Sequence, residues 1–286
     1  MEVRLEYLRP RQIEAAMATC PTLFMPLGTV EWHGLHNVVG LDALKAHALC
    51  VEAAKRAGGL VAPALFGGMG GLHEPFTFAM EEEVTFESRM VRAWFDKMCM
   101  EAARHGFKAV IMLTGHYGAV QQVVVREAAV RASMLANILV LGTPEYFLAL
   151  DAGYTGDHAA FFETSLMMHL YPDSVELDAL GEPPYQGVGG RDPKAYANAE
   201  EGKRLSEVIV ERLAFLAAAM PKWNQATRNR FVMAEQALVS KQMTMAGEHG
   251  SVWAAWRKIG EGAFAPYAEL LTSERFEAIT ELVNQL

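Results

Sequence analysis

Carboxylates and imidazoles, the side chains that bind borderline metal ions and move protons near neutral pH, fall in three short stretches of this chain. Glu31 and His33 stand in Glu31-Trp32-His33-Gly34-Leu35-His36, His116 in Thr114-Gly115-His116, and Asp157-His158 is followed by Glu163. In extended backbone, residues two apart point to one face, which brings Glu31 and His33 together. A carboxylate beside an imidazole suits Zn²⁺, Mn²⁺ or Fe²⁺, and the lack of cysteine in these stretches argues against a structural zinc site. One Glu-x-His pair recurs by chance, and its ordinary reading is a solvated carboxylate beside a loop histidine. Three stretches of the same ligand types carry more weight.

The elements around them read as an α/β protein. Residues 22–30 (TLFMPLGTV), 60–66 (LVAPALF), 109–114 (AVIMLT) and 137–142 (NILVLG) are short apolar runs of strand length. Helical spacing marks 42–56, 88–105, 120–135, 159–170 and 200–220. Strands apolar on both faces, alternating with helices, imply a mainly parallel sheet covered on both sides, a three-layer α/β/α sandwich. From 222 onward the pattern is mixed helix, so we expect one domain over 1–286 with a helical C-terminal extension. In open α/β sheets ligands bind outside the carboxyl ends of the strands. The Glu31 to His36, His116 and His158 stretches all lie beyond such ends, and Asp42 opens the first long helix.

Composition narrows the function. The 286 residues are 51% hydrophobic and 21% charged, with a net charge of -9. That acidity disfavours phosphate backbones and anionic membrane surfaces, so neither nucleic acid nor membrane is expected as a partner. Cys20, Cys50 and Cys99 form neither a disulfide framework nor a zinc ribbon and read as reduced thiols. With no signal-peptide pattern at residues 1–10 and no 18-residue apolar run, the expectation is a cytoplasmic protein. GGMGG at 67–71 suggests a nucleotide loop, but no GxGxxG or GxxxxGK[ST] accompanies it.

Residues 28–44, GTVEWHGLHNVVGLDAL, resemble the first motif of the creatininase family of metal hydrolases, approximately GSxEQHGPHLPLGTDxL. TGHYGA at 114–119 resembles the family's NGHGGN, and GDHAAFFETS at 156–165 its DxHAGxxETS. Gly190-Arg191-Asp192-Pro193 resembles its GDP loop with one residue inserted. The resemblance spans about residues 5–220. It implies two divalent ions (Zn, Mn or Fe) held by Glu31, His33, Asp42 and His116, with Asp42 bridging and His158 as acid/base residue. Glu163 matches the glutamate of the third motif, as ligand or catalytic carboxylate. Creatinine-hydrolysing members carry a ligand glutamate two residues after the second-motif histidine, where this chain has Gly118, and the resemblance leaves Glu163 or a water to complete the second ion's shell.

Those members also place tryptophan between the second and third motifs. This chain has none between Trp94 and Trp223, and Tyr154 stands at one such position. The expected substrate is therefore a small molecule more polar than creatinine. His36, as loop-fixing or substrate residue, and His73, as pocket or surface residue, complete the substrate candidates. Arg191 and Asp192 read equally as substrate contacts or as a turn-forming salt bridge, and Glu81 to Glu83 as a solvated face. The expected reaction is hydrolysis of a C–N bond in a cyclic amide or formamide by metal-bound hydroxide. The alternatives are a C–C hydrolase of a cyclic diketone on the same site, or an inactive homologue. The resemblance implies a homo-oligomer, with hexamers frequent among relatives, and Trp253, Trp256, Phe264 and Tyr267 offer either contact surface or core.

Overall fold

In the computed structural model the described residues are 2–71, 74–80, 86–249 and 264–286. After α1 (Pro10–Thr19) come β1 (Thr22–Gly28), α2 (Leu41–Ala57), β2 (Leu60–Val61), β3 (Leu65–Phe66) and α3 (Phe86–Arg104). Next in the chain are β4 (Ala109–Thr114), α4 (Ala119–Leu135), β5 (Leu139–Pro144), α5 (Phe161–Leu170), the single turn α6 (Pro193–Tyr196) and α7 (Ala199–Ala219). Helices α8 (Gln225–His249), α9 (Tyr267–Thr272) and α10 (Phe276–Asn284) close the chain. Pairing is parallel throughout the sheet, in the order β2-β1-β4-β5, with β3 also on β1.

Side-chain alternation divides the interior into two cores. Leu23, Met25, Val110, Met112 and Val140 face α3 and α4, whereas Phe24, Ile111, Leu113, Leu139 and Leu141 face α2, α5 and α7. The fold is thus an α/β/α sandwich with a mainly parallel sheet. The apolar run 60–66 does not form one strand: β2 and β3 flank Ala62, Pro63 and Ala64, where proline cannot donate to a ladder. β5 begins two residues later than its apolar pattern and runs on through Thr143 and Pro144.

Trp223, Phe231, Leu238, Phe264, Tyr267 and Phe276 are buried in the same cluster as Phe147 and Leu213. Phe264 and Tyr267 therefore serve the core rather than a contact surface. Trp253, Trp256 and Glu81 to Glu83 lie outside the described residues. Among those described, no helix is long and apolar enough to cross a membrane.

Candidate metal centre

The register levels the strands: Leu27 of β1 pairs with Thr114 of β4, and Thr114 with Pro144 of β5. The loops leaving these strands therefore emerge at one edge. Asp42 reaches that edge because α2 begins almost in contact with the strand ends. A Cβ at Gly28 would lie 2.2 Å from Ala43 N, and one at Gly115 2.1 Å from Asp42 O. Only glycine at both positions permits this approach.

Six buried or half-buried side chains converge there. Ligand atoms of Glu31, Asp42 and His116 lie within 4.8 Å of one another, and so do those of His33, Asp42 and Glu163. Asp42 belongs to both groups. Its Oδ1 is 3.1 Å from His33 Nε2 and its Oδ2 is 3.2 Å from His116 Nδ1. Glu31, His33 and His158 form a third, overlapping group.

The outer nitrogen of each imidazole is tied to a backbone carbonyl. His33 Nδ1 donates to Glu31 O at 3.0 Å, His116 Nε2 to Met69 O at 2.9 Å, and His158 Nε2 to Trp32 O at 2.8 Å. Such bonds fix the tautomer and aim the other nitrogen's lone pair inward. The inner nitrogens of His33 and His116 then face carboxylate oxygens at 2.9 to 3.2 Å, an approach that either a shared proton or a metal ion satisfies. Glu31 Oε2 is buried with no hydrogen-bond partner. This donor set fits divalent ions.

Without an ion, protons fill that place. Burial pulls the His33 pKa down, but Asp42, Glu163 and Glu31 outweigh it and hold it at about 9. His116 is raised well above the ordinary value against the same burial penalty, by Glu31 and Asp42. Burial disfavours the charged forms of Glu31 and Asp42, yet the histidines hold both carboxyls below their usual range. Metal uptake must displace these protons.

Behind the cluster lies a charged residue that sequence reading missed. Lys45 is fully buried, and its ammonium donates to Glu163, to Glu145 Oε1 at 3.0 Å and to the Tyr117 hydroxyl at 2.8 Å. The Tyr117 hydroxyl also contacts Glu145 and the Tyr154 hydroxyl. Burial opposes the charge on Lys45, but Glu145 and Glu163 keep it protonated. Burial in turn raises Glu145 to about 6 despite Lys45. The available signal was spacing: Lys45 stands three residues after Asp42 on α2, on the helix face that must meet the site.

Three comparisons bear on this arrangement. The family model described as creatininase, creatinine amidohydrolase, matches residues 6–217. The chain belongs to the creatininase family. It is thereby a hydrolase of the amidohydrolase type. It is 28% identical to a creatinine amidohydrolase of Pseudomonas putida over 235 residues, 67% of this chain and 86% of that protein. A solved creatinine amidohydrolase structure superposes with a TM-score of 0.64 at 24% identity, covering 77% of this chain and 98% of the other. A creatininase structure named with manganese superposes at 0.60 with 26% identity, covering 77% of this chain and all of that one.

Against the creatininase motifs, the structure brings Glu31, His33, Asp42, His116, His158 and Glu163 together. At Gly118 a Cβ would lie 2.4 Å from Met69 O and 2.7 Å from His116 Nε2, so the bond that orients His116 runs where a side chain would stand. His158 stacks on His33 with ring centroids 4.5 Å apart and remains partly open to a pocket of about 440 Å³. Burial, and then His33, lower its pKa below the ordinary value.

The substrate candidates are placed differently. Tyr154 is fully buried behind Tyr117, its hydroxyl engaged there, so it does not line the pocket. Tyr117 and Tyr146 present the aromatic wall instead, with Glu74 and Thr155 as polar lining that sequence reading had not singled out. His36 is buried and held by Asn37 and Thr164, in the loop-fixing role. His73 lies outside the described residues. Asp192 caps α6, and Arg191 stacks on Tyr196 at 3.6 Å, so neither makes the salt bridge considered from sequence. The stretch leading into Gly190-Arg191-Asp192-Pro193 does reach the pocket, through Gly187 to Gly189, because His158 and Gly189 exchange backbone hydrogen bonds of 2.8 Å.

Proposed function

We propose that this chain hydrolyses a C–N bond of a small polar amide, cyclic amide or formamide, with two divalent ions of Zn, Mn or Fe. The observation that carries the reading is Asp42, whose two carboxylate oxygens face two different histidines. Glu31, Asp42 and His116 would hold one ion, and His33, Asp42 and Glu163 the other. Held by these residues, the ions would supply Lewis-acid polarisation of a substrate carbonyl and a water acidified toward a pKa of about 7.

The side chains do the rest. Glu31 and Glu163 keep the centre's charge fixed from opposite sides of Asp42. His158 faces the pocket with Nδ1 3.7 Å from Glu31 Oε1, while its other nitrogen is held by Trp32 O. With its pKa below the ordinary value the ring is neutral near pH 7, so Nδ1 can take the proton released by the hydrolytic water and then pass it to the leaving nitrogen. The Tyr117 ring and the Gly187 to Gly189 backbone flank the substrate and restrict water.

The protein is read as cytoplasmic, in keeping with its three buried free cysteines. One domain including α8 to α10 is supported by their shared core. Self-association is supported by exposed Leu35, Phe66, Phe76, Phe78 and Trp94, and light scattering giving a multiple of the chain mass is the expected result. Elemental analysis of metal-loaded protein, followed by assays on lactams, formamides and cyclic ketones, tests the main reading. About two ions per chain and C–N hydrolysis are expected. A metal-free protein would remove the reading, and turnover of cyclic diketones alone would favour C–C hydrolysis.

A further inference from the structure

In the ion position of His33, Asp42 and Glu163, the glutamate from α5 is the adaptable side chain. His33 is fixed by Glu31 O, and Asp42 sits in the first turn of α2. Glu163, with three rotatable bonds, must be held by its surroundings. No substitute can come from position 118, where a Cβ would collide with Met69 O.

Two contacts hold Glu163. Ala159 N–H donates to its Oε2 at 2.7 Å, from a residue with φ of 53°, a conformation that costs a non-glycine residue free energy. Lys45 donates to its Oε1. With both contacts made, Oε2 lies 3.9 Å from His33 Nε2, on the ion side. The remaining Lys45 contacts go to Glu145 and Tyr117, neither of which belongs to the metal-capable groups, and Lys45 is not among the pocket-lining residues. A fully buried lysine is costly unless paired, so its placement one helical turn after Asp42 calls for a reason.

We infer that Lys45 is a positioning residue for the second ion: it clamps Glu163 Oε1 so that the carboxylate presents Oε2 beside His33 and Asp42. The inference rests on the two-ion reading above. One helix, α2, then supplies both the shared carboxylate and the clamp for the carboxylate that completes the second position.

Calorimetric titration with Mn²⁺, paired with elemental analysis, tests it on the full chain. Lys45→Met alone leaves Glu145 and Glu163 facing each other without a cation and can unfold the protein. The double variant Lys45→Met/Glu145→Gln removes the clamp and one carboxylate together and keeps the charge balance. Glu145→Gln alone leaves the clamp in place. The wild type and Glu145→Gln should bind two ions. The double variant should bind the first with unchanged affinity and the second about 10- to 100-fold more weakly, the usual loss when a ligand's outer partner is removed. Two ions of wild-type affinity in the folded double variant would overturn the role of Lys45. So would equal weakening of both ions, which is what a purely structural role gives. A wild type binding one ion would overturn this inference together with the two-ion part of the function reading but leave a one-ion hydrolase standing, and one binding none would overturn the function reading as well.

Discussion

His33 Nε2 stands 3.1 Å from Asp42 Oδ1, across a nine-residue excursion that leaves β1 and returns to open α2. Because the other oxygen of Asp42 faces His116, one side chain links the β1 and β4 ends of the sheet. Replacement by alanine should therefore remove both ions and bring hydrolysis to background, whereas loss of a ligand to one ion would leave the other. Elemental analysis of Asp42→Ala after metal loading checks this. One retained ion would mean that the two positions do not share the carboxylate.

His158 divides ligand from proton donor. Its position near Glu31 and His33 also allows it to bind metal. We expect His158→Gln to keep both ions and to lose about 10²- to 10⁴-fold in turnover, the range for a lost acid/base group. Loss of an ion in this variant would make His158 a ligand.

The legible parts of this protein were those fixed by short-range pattern. β4 was read to the residue because Ala109 to Thr114 is apolar on both faces between Lys108 and a glycine. The motif residues were legible because each stands just past a strand end, and parallel register carries strand ends to one edge. Lys45 was not legible as a site residue, since a lysine in a helix rich in alanine and leucine ordinarily faces water. Only tertiary packing shows that this one is enclosed by carboxylates from two other segments. Tyr154 was misplaced for the mirror reason: its position suggested the pocket wall, but the Tyr117 ring lies between it and the opening.

Stability should depend on pH through His36. His36 Nε2 lies 3.0 Å from both Asn37 Nδ2 and Thr164 Oγ1 in a buried setting that favours the neutral ring, and burial lowers the pKa from 6.5 to about 4. A group with a depressed folded pKa leaves stability intact above its unfolded pKa and withdraws it as pH falls toward the folded one. The wild type should lose up to roughly 3 kcal/mol from this group between about pH 6.5 and 4. In His36→Gln that share of the loss should vanish. Urea midpoints of both proteins across this window should converge as pH falls, and a constant gap would show that His36 does not titrate as argued.

The C-terminal helices are fastened from inside. Arg126 on α4, fully buried, donates to Glu235 Oε2 on α8 at 2.8 Å, and the Tyr267 hydroxyl donates to the other oxygen at 2.7 Å. Glu235→Ala leaves the guanidinium buried without its counter-charge and should cost about 3–5 kcal/mol. The denaturant midpoint should fall while the folded variant still takes up its ions, because the pair lies away from the metal cluster. A shift under 1 kcal/mol would mean that water reaches Arg126 when Glu235 is removed.

The pocket argues for a substrate larger than creatinine and able to donate hydrogen bonds. Its volume of about 440 Å³ lies within the range that encloses drug-sized ligands. Among the described lining residues there is no tryptophan, and the Tyr117 hydroxyl is turned inward to Lys45 and Glu145, so the ring offers its carbon surface. Beside the candidate ligands, Glu74 and Thr155 are among the polar groups that line the pocket. A carboxylate there favours an N–H or cationic group on the substrate, and losing a hydrogen bond to a charged group costs about 1.5–3 kcal/mol. Glu74→Ala should therefore raise KM for the true substrate by roughly 10- to 100-fold with little change in kcat, since Glu74 belongs to none of the metal-capable groups. Creatinine, small for a pocket of this volume, should be a poor substrate. A kcat/KM for creatinine above about 10⁴ M⁻¹s⁻¹, the low end of ordinary enzyme efficiency, would show that the pocket closes around the smaller ring and that Glu74 does not select the substrate.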